Sequence, residues 1–256
     1  MKGEQDLVLV ADENFIASFR KLAQHVAHAE THQNGSVFSF TTGLPLSLFN
    51  GCVVTQEAQP SELAASLAWV AARDVPYCVW IAEKLVAGLA EVPTSYGLEP
   101  AVSLYPGMVL HPIPDAPALD AGVSVVPIFE PSLDEFIGVL EESGLRAGLA
   151  RRLISPAFAA DPDVRLFVGR LDGKPVGSSI AIRSQNASGV YNVVTLPEAR
   201  RRGVGSAVTW AAVGAGSAWG CETAVLQSSV MAISMYEDMG FRTVAPYVTF
   251  AQSSVS

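Results

Sequence analysis

Cysteine, histidine and charged side chains are all scarce in this 256-residue sequence. Its three cysteines, Cys52, Cys78 and Cys221, are too few and too scattered for a disulfide framework, and they form no CxxC motif. Basic residues number 16 against 25 acidic ones, and this net charge of -9 disfavours a nucleic-acid partner, which needs a cationic surface. Because 50% of the residues are hydrophobic, the chain can bury a sizeable core without disulfides or metals.

A long hydrophobic run is also missing. Residues 203–221 are nineteen positions without a charge, but their five glycines make them too weakly hydrophobic for a membrane span. The first six residues include two acids, whereas a signal peptide begins with basic residues and an apolar run. We therefore expect a cytoplasmic protein without a membrane partner, in which 203–221 contributes a buried helix.

The charge is divided unevenly along the chain. Residues 1–121 contain five basic and thirteen acidic residues, a balance of -8, whereas residues 122–256 contain eleven and twelve. Between the two parts, HPIPDAPALDAG (111–122) is rich in Pro, Ala and Asp and has no periodicity, which is typical of a linker. We predict two modules, 1–110 and 123–256, with different tasks.

Both modules show alternating helix and strand patterns. In the first, apolar residues at helical spacing predict a helix with Asp12 as its N-cap, running through Phe15, Phe19, Leu22 and Val26. The remaining elements of this module are predicted as strands at 36–40, 48–55 and 77–82, a helix at 61–73, a helix from Glu83 and a strand near Val109.

In the second module, Asp172-Gly173 between two apolar runs predicts a hairpin of strands 164–169 and 176–182. Further elements are predicted as strands at 123–128, 189–195, 223–227 and 241–250, and helices at 132–140, 146–154, 205–219 and 231–239. Three features recur in the two modules at an offset of 143–146 residues: a helix (61–73 and 205–219), a strand (77–82 and 223–227) and a Gly-apolar pair (Gly97-Leu98 and Gly240-Phe241). This order predicts a degenerate duplication of one α/β (α+β) module.

One loop carries the strongest chemical signal. Between strand 189–195 and helix 205–219, three consecutive arginines precede two glycines, Gly203 and Gly205. Glycines allow close backbone approach, and the start of a helix offers free N–H groups and partial positive charge, so this loop predicts a phosphate or diphosphate site. The alternative is a basic surface turn before an ordinary helix.

The kind of phosphate ligand is constrained by the neighbouring residues. No GK[ST] follows the glycines, which excludes a Walker A loop. A dinucleotide fingerprint needs a small residue where Val208 stands and an acid at the end of the next strand, whereas Glu222 precedes that strand. A nucleotide-binding protein using the same loop remains a weaker alternative.

A family resemblance is carried by these residues. Arg200-x-x-Gly203-x-Gly205 is similar to the [QR]-x-x-G-x-[GA] acyl-CoA loop of the GNAT N-acetyltransferase superfamily. VRLFVGRLDGKPVGSSIAI resembles the family's second and third strands, and YNVVTLPEARRRGVGSA resembles its fourth strand, loop and third helix. Met235-Tyr236-Glu237-Asp238-Met239-Gly240-Phe241 resembles the family's closing Leu-Tyr-x-x-x-Gly-Phe pattern. The resemblance covers about residues 122–256.

The resemblance implies a fold of two tandem GNAT-like modules, each a mixed, largely antiparallel twisted sheet flanked by helices. At the junction equivalent to the arginine loop, the first module has Gln59-Pro60-Ser61-Glu62, so we expect it to be a degenerate module without an acyl-CoA loop. Such a module would shape the acceptor cleft. The balance of -8 over residues 1–121 would attract a cationic acceptor, or it is simply an acidic surface.

The resemblance also implies acetyl-CoA as cosubstrate, bound without a metal. The amides of residues 201–206 would hold the pyrophosphate, and strand 193–195 would pair with the pantetheine arm where the fourth and fifth strands splay apart. Ser229 stands where the family often has an asparagine contacting CoA. The residues assigned to acyl-CoA are Val193, Val194, Thr195, Arg200, Arg201, Arg202, Gly203, Val204, Gly205, Ser206 and Ser229.

By the same resemblance, Tyr236 would be the general acid that protonates the departing thiolate, a task that suits a phenol with a pKa near 10. The alternative is a core tyrosine that packs with Ile233 on one helix face. Strand 189–195 has no carboxylate or histidine, and Glu198 is expected to face solvent, so no general base is assigned.

The predicted function is an acyl-CoA-dependent N-acyltransferase that moves acetyl to the primary amine of a small molecule or peptide. The competing class is a non-catalytic acyl-CoA-binding or sensing protein. As to metals, His28 and His32 have the i,i+4 spacing of a helical ligand pair beside His25, but no third ligand is evident, so a polar helix flank is favoured.

Overall fold

The computed structural model describes residues 3–129, 132–146 and 148–252. The first half contains helices α1 (Glu4–His25), α2 (Pro60–Ala71), α3 (Val86–Leu89) and α4 (Glu91–Ser95), and strands β1 (Glu30–Asn34), β2 (Val37–Thr41), β3 (Asn50–Val54), β4 (Cys78–Ala82) and β5 (Glu99–Leu110). The second half contains strands β6 (Val123–Ile128), β7 (Val164–Leu171), β8 (Lys174–Ser184), β9 (Ala187–Thr195), β10 (Thr223–Gln227) and β11 (Arg242–Ala251), and helices α5 (Leu133–Glu142), α6 (Leu149–Leu153), α7 (Pro156–Ala159), α8 (Val204–Ala218) and α9 (Ile233–Asp238).

The eleven strands of the described residues form one sheet, in the order β1-β2-β3-β4-β11-β5-β10-β9-β8-β7-β6. Two neighbouring pairs are parallel, β3 with β4 and β9 with β10, and the other pairs in the described chain are antiparallel. Each parallel pair is linked by a crossover helix, α2 in the first half and α8 in the second. The fold is therefore mixed α/β, and the sequence prediction of its class is confirmed.

The last strand of each half is exchanged with the other half. Strand β11 lies between β4 and β5, with Tyr247 opposite Ala82, and β5 pairs with β10, with Leu110 opposite Ala224. The two exchanged strands also pair with each other along most of their lengths. The boundaries 1–110, 111–122 and 123–256 remain a prediction, but the two modules share one continuous sheet.

Successive strand residues point to opposite faces, and the cores follow this alternation. On one face, helix α1 covers the middle of the sheet, where Phe15 packs against Trp80 and Tyr247. On the other face, α2 and α8 each cover their own half and form separate cores. Helix α1 thus lies against strands of both modules, and its Lys21 pairs with Asp161 of the second half at 3.0 Å.

Several sequence predictions are confirmed element by element. The strands at 123–128 and 223–227 have the predicted bounds, and the hairpin turns at Asp172-Gly173 with φ of 51° and 84°. Two positive φ values are what a type I′ turn requires. Residues 111–122 form no helix or strand and are mostly exposed, and their role as a linker stays a prediction.

The prediction for the first helix is wrong at its start and at its end. Helix α1 begins at Glu4, where the Asp6 carboxylate accepts the Gly3 N–H at 2.9 Å, so Asp12 is a buried residue of the helix interior and not its N-cap. The helix ends at His25. His28 has a φ of 64° in the following turn and His32 lies in β1, so the three histidines share no helix flank. None of the helices in the described chain is long and apolar enough to cross a membrane.

Candidate functional site

Strands β9 and β10 separate towards their carboxyl ends. Their register pairs join Thr223 to Ala187, Ala224 to Ser188 and Val225 to Gly189, and the pairing stops there. Strand β9 nevertheless stays paired with β8 up to Thr195, and β10 stays paired with β5 up to Gln227. The sheet is thus open between the two parallel strands from residue 190 onwards, and backbone groups of 193–195 border the opening.

A bulge in β9 lies at the edge of this opening. The register with β8 shifts between Ser178 opposite Val194 and Ile180 opposite Tyr191, and Asn192 has a φ of 51°. The Ser178 hydroxyl donates to the Asn192 carbonyl at 3.3 Å, which fixes the bulged residue. A bulge redirects the backbone groups that follow it, here those of Val193 and Val194. Sequence reasoning missed this feature, although an asparagine inside a strand is a possible signal because Asn tolerates left-handed torsions.

Beyond the opening, the arginine loop (residues 200–206) leads into α8. Gly203 is the N-cap residue with a φ of 78°, and no side chain caps the helix. A Cβ on Gly205 would lie 3.1 Å from Thr195 Oγ1 and 3.3 Å from the Met235 sulfur, tighter than ordinary contacts. The first amides of α8 are therefore left for a ligand, at a place where the backbone carries no obstructing side chain.

The charges around this loop are mostly positive and exposed. Arg200, Arg201 and Arg202 all face solvent, and Arg202 approaches Asp172 only to 3.9 Å, a distance at which a surface pair contributes little. A carboxylate of the linker lies close to this loop, because a Cβ built on Gly203 would be 1.9 Å from Oδ2 of Asp120. Gly203 is thus required both by its left-handed torsion and by the linker packed against it.

The predicted site residues of the closing segment lie across the opening from β9. Ser229 is exposed and begins a short turn after β10, and the hydroxyl of the buried Ser228 donates to its carbonyl at 2.8 Å. The Ser228 N–H donates to the Pro106 carbonyl at 2.9 Å, which ties this turn to β5. The structure therefore brings 193–195, 200–206 and Ser229 to one end of the sheet.

Tyr236 lies on α9 and is 6% exposed. Its ring packs against Phe241 at 5.8 Å, and burial raises the pKa of Tyr236 to about 12, an effect partly offset by the neighbouring Thr209 side chain. Thr209 in turn donates to the Gly205 carbonyl at 2.8 Å. Tyr236 is thus part of the core. Through Thr209 it is also linked to Gly205, the second glycine of the arginine loop. At neutral pH such a phenol is protonated and can donate a proton.

No carboxylate or imidazole is assigned as a base. Glu198 is exposed beside Lys174 at 3.3 Å, a pairing that, with backbone hydrogen bonding, lowers the pKa of Glu198. His25 pairs with Asp161 at 2.8 Å, and His32 stacks on Trp69 at 5.2 Å. Within the described ranges, no three His, Cys, Asp or Glu side chains are grouped to hold a metal ion.

The comparisons agree with this geometry. Residues 133–241 match the model of the acetyltransferase (GNAT) family. The chain is similar to a GCN5-related N-acetyltransferase from Kribbella flavida, with 20% identity, a TM-score of 0.71, and 96% of each chain covered. It is similar to a GCN5-related N-acetyltransferase from Sphaerobacter thermophilus, with 19% identity, a TM-score of 0.61, and 84% and 76% of the two chains covered.

A third similar structure is a tandem GNAT protein from the clavulanic acid biosynthesis pathway, with 15% identity, a TM-score of 0.59, and coverage of 88% and 83%. No match was found among curated protein sequences. The GNAT resemblance is thus confirmed: the second module carries the family's sequence pattern. The chain as a whole has the fold of GCN5-related N-acetyltransferases.

Proposed function

We propose that the second module transfers an acetyl group from acetyl-CoA to a primary amine. The carrying observation is that the opening between β9 and β10 ends at the uncapped, glycine-led start of α8. An opening of this kind beside a helix start is suited to an extended ligand with an anionic end. The family match over 133–241 makes acetyl-CoA the ligand of choice.

In this proposal the arginine loop holds the pyrophosphate. The amides from Arg201 to Ser206 donate to its oxygens, and the helix start contributes partial positive charge. The left-handed Gly203 and the side-chain-free Gly205 fit this task, because a Cβ at either position would meet neighbouring atoms. Arg200 and Arg202 add long-range attraction for an anion.

The open edge of β9 then holds the pantetheine arm. Backbone groups of Val193, Val194 and Thr195 pair with its amides, as a neighbouring strand would. A bound thioester supplies an acyl carbon that is activated towards nucleophiles. An amide directed into the opening by the Asn192 bulge donates to the carbonyl oxygen as negative charge develops there. Ser229 contributes a hydroxyl from the opposite side.

The transfer proceeds by direct attack. The amine nitrogen forms a bond to the acyl carbon, the carbon–sulfur bond breaks, and the electron pair leaves with sulfur as a thiolate. Tyr236 gives its proton to that thiolate, and the raised pKa keeps the phenol protonated until the thiolate forms. The surplus proton of the attacking nitrogen leaves to water. Holding the two reactants in one opening supplies much of the rate.

The acceptor is proposed to be a small-molecule or peptide amine that carries positive charge. The first module contributes a balance of -8 over residues 1–121, which raises the local concentration of a cationic acceptor. The three cysteines are buried and none of them forms a disulfide in the described chain, which supports a cytoplasmic location.

The test has two stages. Thermal unfolding is followed with acetyl-CoA, CoA and ATP, and we expect stabilisation by the first two and none by ATP. Thiol release is then measured with acetyl-CoA over a panel of primary amines. Stabilisation without acylation of any amine would instead support the acyl-CoA sensor, and no response to either CoA species would refute the proposal.

A matched pair of variants tests the site itself. Arg200→Ala removes a cation from the arginine loop. Arg151→Ala removes a cation from α6, where Arg151 forms an exposed ion pair with Asp134 of α5. We expect weaker acetyl-CoA binding only in the first variant. Equal acetyl-CoA affinities of the two variants would show that the arginine loop does not attract acetyl-CoA.

A further inference from the structure

The first module contains a cavity of its own. It has a volume of about 660 Å³ and lies beyond the carboxyl ends of β3 and β4, between α1 and the start of β11. This position in the first module corresponds to the opening between β9 and β10 in the second, because the parallel pairs β3–β4 and β9–β10 correspond. The volume is in the range of small-molecule sites, about 300–1,000 Å³.

A buried carboxylate lines this cavity. Asp12 on α1 is 3% exposed, and its Oδ1 accepts the hydroxyl proton of Tyr247 at 2.6 Å. Its second oxygen, Oδ2, accepts no hydrogen bond within the described part of the chain. Oδ2 is not among the fully buried side-chain atoms of the described residues that lack a partner, so this oxygen is open to the cavity and is left to interact with a ligand.

The other walls of the cavity determine what such a ligand carries. Val8, Leu9, Val244 and Pro246 give it an apolar surface, while Lys84 and Glu83 stand at the end of β4. Lys84 is exposed and forms no ion pair with Asp12, so it lies near the carboxylate without neutralising it. An apolar cavity with one converging anionic group is suited to an apolar molecule with one cationic end.

The phosphate chemistry of the second module is absent at this place. Gln59 is the N-cap residue of α2, the helix that follows β3, and its N–H already donates to the Glu62 carboxylate at 2.9 Å. We propose that the cavity binds a small organic cation, a protonated primary amine with an apolar body, whose ammonium donates to Asp12 Oδ2. This site is separate from the proposed acyl-CoA opening and does not depend on acetyl transfer.

The test is a calorimetric titration at pH 8 with hexylamine, benzylamine and tryptamine, and with hexanol and benzyl alcohol as neutral counterparts. We expect the amines to bind and the alcohols to bind at least about tenfold more weakly, the usual effect of losing a hydrogen bond to a charged group. Equal binding of amines and alcohols, or no binding of any amine, would overturn the proposal.

Variants locate the site. Asp12→Asn keeps an oxygen for Tyr247 but removes the charge, and we expect amine affinity to fall at least about tenfold. The matched control is Glu57→Gln, which removes one exposed charge from the adjoining loop and should leave affinity unchanged. Unaltered binding in Asp12→Asn would place the amine elsewhere, for example in the second module.

A variant that gains amine affinity separates an effect on binding from a loss of folding. Lys84→Met removes the cation that competes with the ligand, so amine binding at pH 8 should tighten about two- to fivefold, the scale of an exposed charge pair. Acetyl-CoA binding, measured on every variant, should not change. Loss of both ligands in Asp12→Asn together with no gain in Lys84→Met would refute the assignment, whereas failure of acetyl transfer alone would leave it intact.

The pH dependence supplies an independent readout. Burial raises the pKa of Asp12 to about 6, with Tyr247 and Lys84 lowering it and Glu13 raising it further. Glu83 also faces the cavity. Amine affinity should therefore weaken as the pH falls below about 6, because the protonated carboxyl no longer attracts an ammonium. Affinity that is constant between pH 8 and 5 would contradict this role of Asp12.

Discussion

The two modules have the same parallel strand pair but differ in how long the pair stays together. In the first module, β3 and β4 are paired from Gly51–Cys78 to Val54–Ile81, which leaves β3 closed to its end. In the second, pairing stops six residues before the end of β9. The comparison teaches that the opening is a local property of one strand, since the surrounding topology is the same.

The helix starts differ in the same sense. At α2 the chain supplies its own anion, since Glu62 binds the amide of Gln59, and Pro60 removes a further donor. At α8 there is no capping side chain, and three arginines precede the helix. The first module thus caps its helix start with a side chain, whereas the second leaves its helix start uncapped.

The helix ends show that the two modules are otherwise alike. The Leu98 N–H donates to the Pro93 carbonyl at 3.1 Å, and the Phe241 N–H donates to the Tyr236 carbonyl at 2.9 Å. Gly97 and Gly240 both have positive φ, as this type of helix termination requires. Pro93 therefore stands at the position that Tyr236 has in the second module, so the first module has no phenol at this position.

The largest expected effect concerns this difference. Tyr236→Phe should lower kcat for acetyl transfer about 100-fold, the usual contribution of a general acid, and leave the Kd for acetyl-CoA unchanged. The readout is thiol release beside calorimetric binding. Tyr96→Phe in the first module, which loses only a bond to the Ala64 carbonyl, is the control and should keep its kcat. If both variants turn over alike, Tyr236 is simply a core residue.

The next effect concerns the loop backbone. Gly203→Ala should weaken acetyl-CoA binding about tenfold, because holding a non-glycine residue in the left-handed conformation costs about 1–2 kcal/mol. Gly43→Ala in the first module is matched for torsion, with a φ of 68° and open space around it. Calorimetry should find normal acetyl-CoA affinity in this control. An equal loss in both variants would point to general destabilisation.

A smaller effect should appear in the first module. Glu62→Ala removes the carboxylate that caps α2 and should lower the free energy of unfolding by about 1 kcal/mol in urea titrations. Acetyl-CoA should still bind with a stoichiometry of one, because β3 and β4 remain closed. Glu57→Ala, in the exposed loop nearby, should leave stability unchanged. A second bound acetyl-CoA in Glu62→Ala would mean that one side chain accounts for the contrast between the modules.

The smallest effect concerns the linker carboxylate beside Gly203. Asp120→Asn should tighten acetyl-CoA binding about two- to threefold at low salt, and the gain should shrink as ionic strength rises. Asp115→Asn, earlier in the same linker, should have no such effect. A salt-independent change would indicate altered packing of the linker instead of altered charge.

Local pattern was sufficient for much of the fold. The short apolar run in 223–227 and the Asp172-Gly173 turn are decided by neighbours in sequence, so their bounds could be predicted. The loop chemistry at 200–206 could be predicted for the same reason. The separation of β9 from β10 beside this loop could be predicted only through the family resemblance.

Features that depend on distant partners could not be predicted. Asp12 looked like a helix start because it precedes a run of apolar residues at helical spacing, whereas its side chain is buried against Tyr247, 235 residues away. The bulge at Asn192 results from a register shift against β8, which no local periodicity reports. The same holds for the pairing of β5 with β10, since a strand pattern does not specify which sheet edge it joins.

The exchange of β5 and β11 has a consequence for biosynthesis. Tyr247 and Phe250 complete the two cores of the first module, yet they lie in the last strand of the described chain. Multidomain chains usually fold from the N-terminus as they emerge from the ribosome. Here the emerging first half has an unpaired edge on the apolar strand β4 until residue 251 is made, and such edges promote aggregation. We expect the two halves to acquire their native structure together, after synthesis of the second half.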